Sequence, residues 1–482
     1  MIALTLAEIS AITGGTLTGE SSPDVTVTGP VVIDSRRAEP GSLFAALPGE
    51  HADGHDFAAA AVAKGAVAVL GTRQIHTGVP RGGDGGSSPL AGQSAPVIVV
   101  PDVLAALAAL AHAVLGRLPG ATVVGITGSS GKTSTKDLTA QVLERLGPTV
   151  ATEGSFNNEI GLPLTVLLAD SGTRYLVLEM GARGVGHIAY LCGIAPPKIG
   201  AVLNVGRAHT GEFGSLEGIA KAKGELPEAV GADGVAVLNA DDPRVIAMAD
   251  RTAARIVRFG AAGEFRAEDV TLDELSRASF RLVTPDGTAP VALRLHGAHH
   301  VANALAAAAI AAQLGLATPD IADALSAATA RSKKRMELHE RPDGVLVVND
   351  AYNANPDSMK AAIEALAHMT GGGSGGRRGI AVLGHMAELG DIDAVSHAEA
   401  GLLAARAGVA ALVAVGEGAR PVLDGAREQP EWRGEAIAVA DPGAAVAALR
   451  NVLRPGDVVL VKASKAAGLW EVADGLLAET DR

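Results

Sequence analysis

The stretch Val123–Lys136 reads VVGITGSSGKTSTK. An apolar, β-branched run enters a turn of small residues, and Lys-Thr stands where a helical pattern begins. Such a turn aims successive backbone N–H groups inward and cradles phosphate oxygens, aided by the positive end of the helix that follows. Gly128 and Gly131 permit the backbone angles and the close approach this needs. Lys132 is placed to reach the β- and γ-phosphates of a nucleotide, and Thr133 to offer its hydroxyl to Mg²⁺. Thr127, Gly128, Ser129, Ser130, Gly131, Lys132, Thr133 and Ser134 are therefore the expected nucleotide-binding residues. The spacing is T-G-x-x-G-K-T, since Ile126 stands where the longer G-x-x-x-x-G-K-[ST] form has glycine. A phosphate loop alone suits a kinase, a GTPase, a motor or a ligase, so other residues must decide.

The elements around the loop set the fold class. Short β-rich runs recur at Thr122–Thr127, Tyr175–Glu179, Ile199–Val205, Gly234–Asn239, Gly344–Val348, Ile380–Leu383, Ala411–Val415 and Asp457–Lys462. Helical patterns separate them, including Val103–Leu118 and Ala302–Ala330. Apolar runs spaced by helices read as buried parallel strands, so the class is α/β with doubly wound sheets. Glu179 ends one such strand, where open α/β sheets bind ligands. Boundaries are expected near residues 103 and 332, the second beside the basic run Arg331–Arg335. The chain has 482 residues, enough for several domains. Gly/Ser-rich stretches at Arg81–Ser94 and Gly371–Gly379 read as surface loops within domains.

Composition excludes some partners. Lys and Arg number 40 against 53 Asp and Glu, a formal charge of −13. That argues against broad binding to nucleic acid or anionic membranes. The single cysteine, Cys192, allows no internal disulfide, suits a reducing cytoplasm and reads as a small buried apolar residue. The start of the chain lacks the features of a signal peptide, and no long uninterrupted apolar run suggests a membrane span.

Several motifs in order resemble the Mur ligases of peptidoglycan synthesis. They are TGSSGKT; the run from Thr152 through Asn157 and Asn158 to Gly161-Leu-Pro163; EMGA from Glu179; NVGRAH from Asn204 to His209; AKAKGE around Lys223; and NADDP from Asn239. Asn303 within GAHHVANALAAAA, Arg335 within KKRME, DAYNANPDS from Asp350 and LGHMAELG from Leu383 continue the series over nearly the whole chain. DAYNANPDS and MAELG resemble the branch that adds D-alanyl-D-alanine to a UDP-N-acetylmuramoyl-tripeptide. The early stretch Asp34-Ser35-Arg36 with Asp53-Gly-His55 resembles the UDP-binding first domain of that branch and of the branch adding the third residue. Two positions depart from the family pattern: His300 stands where Asn is usual, and His385 where Asp is common.

The resemblance implies three domains: residues 1–102, an α/β domain binding the UDP precursor; residues 103–331, a central ATP-binding domain with the phosphate loop; and residues 332–482, a Rossmann-like domain binding the dipeptide and closing on ATP. It implies attack of a peptide carboxylate on the ATP γ-phosphate to give an acyl phosphate, which the dipeptide amine then opens. Two anions must meet, so cations must screen them. ATP and Mg²⁺, two ions in all, are the expected cofactors. Thr133, Glu179, His209 and a carbamylated Lys223 are the implied metal ligands, and Lys132, Lys223, His209 and Glu179 the catalytic set. Lys221 competes with Lys223, and a solvated helix lysine is the plain alternative for both. Asn303, Arg335 and Asp350 are matched to ATP contacts, and Ser35, Arg36, Thr152, Asn157 and Asn158 to the UDP-sugar. Tyr352, Asn353 and Asn355 are matched to the dipeptide. A cytoplasmic monomer is expected. Two other readings stay open: a diaminopimelate- or lysine-adding Mur ligase or a folylpolyglutamate-type ligase, and a non-catalytic nucleotide-binding protein.

Overall fold

A computed structural model describes residues 1–19, 21–49, 52–75, 96–207, 210–371 and 376–478. The Arg81–Ser94 stretch and His209 therefore lie outside the described residues, as does the middle of Gly371–Gly379. The chain divides into two units. The first holds Met1–Val124, Gly147–Met180 and Ala189–Pro197, and the second holds Gly125–Leu146, Gly181–Ile188 and Lys198–Arg482.

The first unit begins with helix Leu6–Thr13, whose start is fixed by reciprocal capping between Thr5 and Glu8. Five strands form a sheet in the order Thr16–Thr18, Val97–Val99, Ala68–Gly71, Leu43–Ala45, Val31–Val32. All pairs are parallel except the first. Helix Val103–Gly116 follows, capped by Asp102, which accepts from the N–H groups of Leu104 and Ala105. It buries Val103, Ala106, Leu107, Leu110, Ala111 and Val114, the i, i+3, i+4 spacing of a single helical face. Strands Thr149–Ala151 and Tyr175–Glu179 pair in parallel in the same unit. Cys192 is buried with its Sγ 3.7 Å from Met180 Sδ.

In the second unit, strands Ile199–Val202, Val235–Asn239 and Arg255–Phe259 pair in parallel. The end of strand Thr122–Thr127 lies beside them, with the N–H of Leu203 donating to Thr127 O at 2.9 Å. A later sheet orders as Glu337–Glu340, Leu346–Asp350, Val458–Lys462, Gly379–Gly384, Ala411–Val415, Glu435–Val439, parallel after its first pair. Helices pack on both faces, giving two apolar cores centred on residues such as Leu383 and Leu460 on one side and Val382 and Val461 on the other. Both faces are buried, which is why these strands read as near-continuous apolar runs.

The observed strands agree with the expected ones to within a few residues at each end. One feature was not expected. Arg266–Leu272, Arg277–Thr284 and Gly287–His296 form an antiparallel three-stranded sheet. Its last two strands alternate exposed and buried residues, a half-buried pattern unlike the parallel strands around it. The Ala302–Ala330 stretch is two helices, His300–Gln313 and Thr318–Ala327, separated where Gly315 takes a left-handed φ of 92°. Among the described residues, no helix is long and apolar enough to cross a membrane.

The chain leaving Thr318–Ala327 is fastened to the helix Lys132–Leu143 that follows the phosphate loop. Asp137 accepts from Ser332 N–H at 3.1 Å, Gln141 exchanges two hydrogen bonds with Thr329, and Glu144 binds Arg331 through two 2.6 Å contacts. Residues 137, 141 and 144 share one face of the helical path, so their spacing makes the fastening possible.

Leu460 is fully buried in the later sheet. Leu460→Ala is expected to destabilise the second unit by about 2–5 kcal/mol, read as a lower denaturant midpoint.

Candidate active site

The phosphate loop spans the end of strand Thr122–Thr127 and the start of helix Lys132–Leu143. Gly131 sits at the helix N-cap with φ 79°, and a Cβ there would lie 2.6 Å from Asn303 Oδ1. Both conformation and space therefore demand glycine. Asn204 props the turn open. Its Oδ1 accepts from Ser130 N–H at 2.9 Å, its Nδ2 donates to Ser130 O at 3.2 Å, and its carbonyl accepts from Ser129 N–H at 3.1 Å. Ser129 Oγ accepts from Gly206 N–H at 2.9 Å. Lys132 Nζ donates to Gly128 O at 2.7 Å, so the cation is folded over its own loop. Thr133 is buried, and Ser134 is half-buried one residue further along the helix. The Thr127 hydroxyl is buried at the strand end, with no hydrogen-bond partner among the described residues.

Lys223 ends helix Leu216–Lys223, whose start Ser215 caps by accepting from Gly218 N–H. Lys223 is 5% exposed, whereas Lys221 projects to solvent. Burial holds the Lys223 ammonium well below its ordinary pKa, and the charge of Lys132 lowers it further. Burial thus separates two lysines that sequence spacing left in competition, and it favours a neutral amine.

Arg335 lies between Lys334 and Met336, both in left-handed backbone at φ 61° and 51°. Such conformations cost about 1–3 kcal/mol each in residues with a side chain, so the surroundings must hold them. Lys334 N–H donates to Glu337 Oε2, Met336 N–H donates to Asp350 Oδ1, and Tyr352 N–H donates to Lys334 O. The Lys334 ammonium stands over the Trp470 ring and the Arg335 guanidinium over the Tyr352 ring, 3.9 and 4.4 Å from their centroids. Asp350, at its strand end, also pairs with buried Lys462, whose Nζ donates to Asn353 O at 3.1 Å. Sequence reasoning gave no role to Lys462, nor to Asn204 beyond its place at the start of a family motif. Lys462 ends an apolar strand, and that placement was the available signal.

His300 is buried and His299 half-buried, with ring centroids 4.2 Å apart. Desolvation lowers the His299 pKa to about 4, against the pull of Asp350, and lowers that of His300 strongly. Asn303 Nδ2 lies 3.3 Å from His300 Nδ1, so the His that replaces the usual Asn joins the residue that backs Gly131. His385 Nε2 pairs with Asp393 at 2.9 Å and stacks on His397. His397 uses both ring nitrogens, one on Asp393 O and one accepting from Met386 N–H. This trio therefore braces the loop after strand Gly379–Gly384 and leaves His397 without a lone pair for a metal.

Asn355 caps helix Pro356–Met369 by exchanging hydrogen bonds with Ser358, and its Nδ2 reaches Ser129 O at 3.4 Å. Asn353 is exposed on the same loop. The second unit thus brings together the phosphate loop, Asn303 and Asn355, and separately ties Arg335, Tyr352, Asp350 and Asn353 into one neighbourhood.

In the first unit, Thr152 Oγ1 accepts from Glu179 N–H at 3.1 Å, and Asn157 Nδ2 donates to Glu179 Oε1 at 2.6 Å. Glu179 is 1% exposed, so Asn157 orients a buried carboxylate. Asn158 turns to cap the next helix, accepting from Ile160 and Gly161 N–H. Ser35 and Arg36 occupy a short turn capped by Asp34. Arg36 folds onto Asp34 and, chiefly through that hydrogen bond, lowers the Asp34 pKa to about 2. Arg37 pairs with Glu153 at 3.3 Å, which brings this turn beside Thr152. Asp53 and Thr72 N–H occupy the two ring nitrogens of buried His55, so the Asp53-Gly-His55 motif fastens two loops of the first sheet.

Three family models match the chain: "Mur ligase family, catalytic domain" over residues 30–114, "Mur ligase middle domain" over 126–311, and "Mur ligase, glutamate ligase domain" over 334–465. A UDP-N-acetylmuramoyl-tripeptide–D-alanyl-D-alanine ligase of Mycobacterium tuberculosis is 51% identical, covering 99% of this chain and 98% of the relative. A crystal structure of MurF from Acinetobacter baumannii is 31% identical, with a TM-score of 0.85 and 99% of each chain covered. One of MurF from Thermotoga maritima in complex with ADP is 29% identical, with a TM-score of 0.77, covering 94% of this chain and 98% of that one.

Two outcomes follow from this geometry. Lys132→Ala is expected to abolish nucleotide binding measured by calorimetry while the circular dichroism spectrum stays unchanged. The lowered Lys223 pKa fixes a sign for stability against pH. Between that pKa and the ordinary value, the unfolded chain holds one more proton, so stability rises with pH through the window. In bicarbonate-free buffer, wild type should therefore gain on Lys223→Met as pH rises toward the ordinary lysine value, by up to about 1.4 kcal/mol per pH unit. Denaturant midpoints at a series of pH values check this, and a flat difference would refute it.

Proposed function

The chain belongs to the Mur ligase family, and on that premise we infer that it is an ATP-dependent ligase adding D-alanyl-D-alanine to UDP-N-acetylmuramoyl-tripeptide in peptidoglycan synthesis. The observation that carries this reading is 51% identity to a ligase of that name over 99% of the chain.

ATP is the reaction's co-substrate, and the loop suits it. Gly131 leaves space that a Cβ would fill, Asn204 keeps the turn open, and Lys132 supplies a cation beside it. The donor set suits Mg²⁺ through oxygen ligands: the Thr133 hydroxyl, the Glu179 carboxylate and, once carbamylated, Lys223. We assign these residues, with His209, to two Mg²⁺ ions, which supply charge screening for the two anions when bound. A neutral Lys223 Nζ can add to carbon dioxide and lose a proton, becoming an anionic carbamate. Its lowered pKa supports that assignment.

In the reaction, a terminal carboxylate oxygen of the tripeptide bonds to the γ-phosphorus of ATP, and ADP leaves. The free amine of the dipeptide then bonds to the acyl carbon, inorganic phosphate leaves, and the amine sheds a proton. Lys132 and the loop N–H groups hold the phosphates in line. Arg335, braced on Tyr352, and Asp350, held by Lys462, address the nucleotide, and Asn303 backs the loop. Tyr352, Asn353 and Asn355 present the dipeptide. Ser35, Arg36, Thr152, Asn157 and Asn158 receive the UDP-sugar. These assignments divide the work among residues 1–102, 103–331 and 332–482 as precursor-binding, ATP-binding and acceptor-binding domains, in a cytoplasmic monomer.

A phosphate-release assay across UDP-precursor and amine pairs tests the reading. Turnover is expected with the tripeptide precursor and D-alanyl-D-alanine, and not with diaminopimelate, lysine or glutamate as the amine. Turnover with one of those three would move the chain to another branch. Nucleotide binding without any turnover would make it a non-catalytic nucleotide-binding protein.

A further inference from the structure

Gly206, one residue before Arg207, touches two parts of the molecule at once. On one side, Ser129 Oγ of the phosphate loop accepts from Gly206 N–H and donates to Gly206 O. On the other, the Asp357 carboxylate accepts from Arg207 N–H at 3.1 Å and lies so near Gly206 that a Cβ there would be 1.9 Å from Oδ2. Asp357 is exposed in the first turn of helix Pro356–Met369, so core packing does not force this contact. Two residues earlier, Asn355 Nδ2 donates to Ser129 O. Ser129, Gly206–Arg207 and Asn355–Asp357 therefore form a closed ring of contacts. A second ion pair, Arg207 with Glu399 at 3.6 Å, reinforces the same approach.

We propose that Asp357 is a positioning residue that couples the acceptor loop Asp350–Asn355 to the phosphate loop through Gly206, where only glycine admits its carboxylate. This rests on the ligase reading above. The capping interaction of Asn355 fixes where Asp357 projects, because both belong to one helix start. A carboxylate bound to a backbone N–H is a charge-assisted contact, stronger than a neutral one. It is made only when the acceptor loop is seated on the phosphate loop. Its loss weakens seating, and with it acceptor binding, without touching the nucleotide cradle itself.

The contact makes a specific demand on paired substitutions. In Gly206→Ala, the new methyl group displaces only the far end of the Asp357 side chain, since the next neighbours are 3.0 and 3.5 Å away. Gly206→Ala should therefore act by breaking the same bond that Asp357→Ala removes. Each is expected to raise the KM for D-alanyl-D-alanine about tenfold, with ADP affinity within about twofold of wild type. The double variant should be no worse than either single one, and Asp357→Asn, which keeps an accepting oxygen, should recover part of the loss. Additive losses in the double variant, or an unchanged KM in Asp357→Ala, overturn the proposal. Hydrogen exchange at the Arg207 amide tests the contact apart from turnover: it should quicken about tenfold in Asp357→Ala, and an unchanged rate also overturns it. A wild-type chain that shows no dipeptide-dependent phosphate release, yet shows this exchange difference, would instead remove the ligase reading and leave the contact standing.

Discussion

A turn of backbone N–H groups can receive an anion only if it is kept from folding onto its own carbonyls. In this protein that constraint falls on Asn204. Its carboxamide takes the N–H and the carbonyl of Ser130, its own carbonyl takes the N–H of Ser129, and Ser129 Oγ is tied to Gly206. Asn303 presses against Gly131 from the other side. The loop is thus held by carboxamides and a hydroxyl, neutral groups that do not compete with the charge of an incoming phosphate. Asn355 reaches the same turn through Ser129 O, so the start of helix Pro356–Met369 is placed against it.

Buried charge is managed differently at each lysine. Lys462 is buried and paired with Asp350, so its ammonium is compensated and becomes part of the scaffold under the Asp350–Asn355 loop. Lys223 is buried near a second cation, Lys132, which disfavours its charged form. One side chain type is thus kept charged at one position and pushed toward the neutral amine at the other, and the neighbours decide which. The same contrast separates the histidines. His55 and His397 have both ring nitrogens engaged and hold loops in place, while His300 is buried beside Asn303, the phosphate loop's backing residue.

The strained segment around Arg335 shows how a cation is held in one place. Two left-handed residues in a row of three would be unstable in isolation. Here Glu337, Asp350, the Tyr352 backbone and two aromatic rings secure them. The preceding residues are fastened along Asp137, Gln141 and Glu144, so the path into the strained segment is fixed as well.

The sequence by itself determined the α/β class, the phosphate loop and most parallel strands. A strand buried on both faces must be apolar throughout, and a phosphate turn needs glycine at set positions. Family-level motifs pointed to Glu179, Lys223, Arg335 and Asp350. Local patterns could not show that Asn157 orients Glu179, that Lys462 compensates Asp350, or that Asn204 holds the loop. These partners lie 22, 112 and 74 positions apart, and a hydrogen bond across that separation leaves no periodic trace. The antiparallel sheet Arg266–His296 escaped for a related reason: a half-buried strand alternates polar and apolar residues, and that pattern was outweighed by the apolar runs. Only the tertiary structure chose Lys223 over Lys221, because burial is a property of what packs around a side chain and not of its place along the helix.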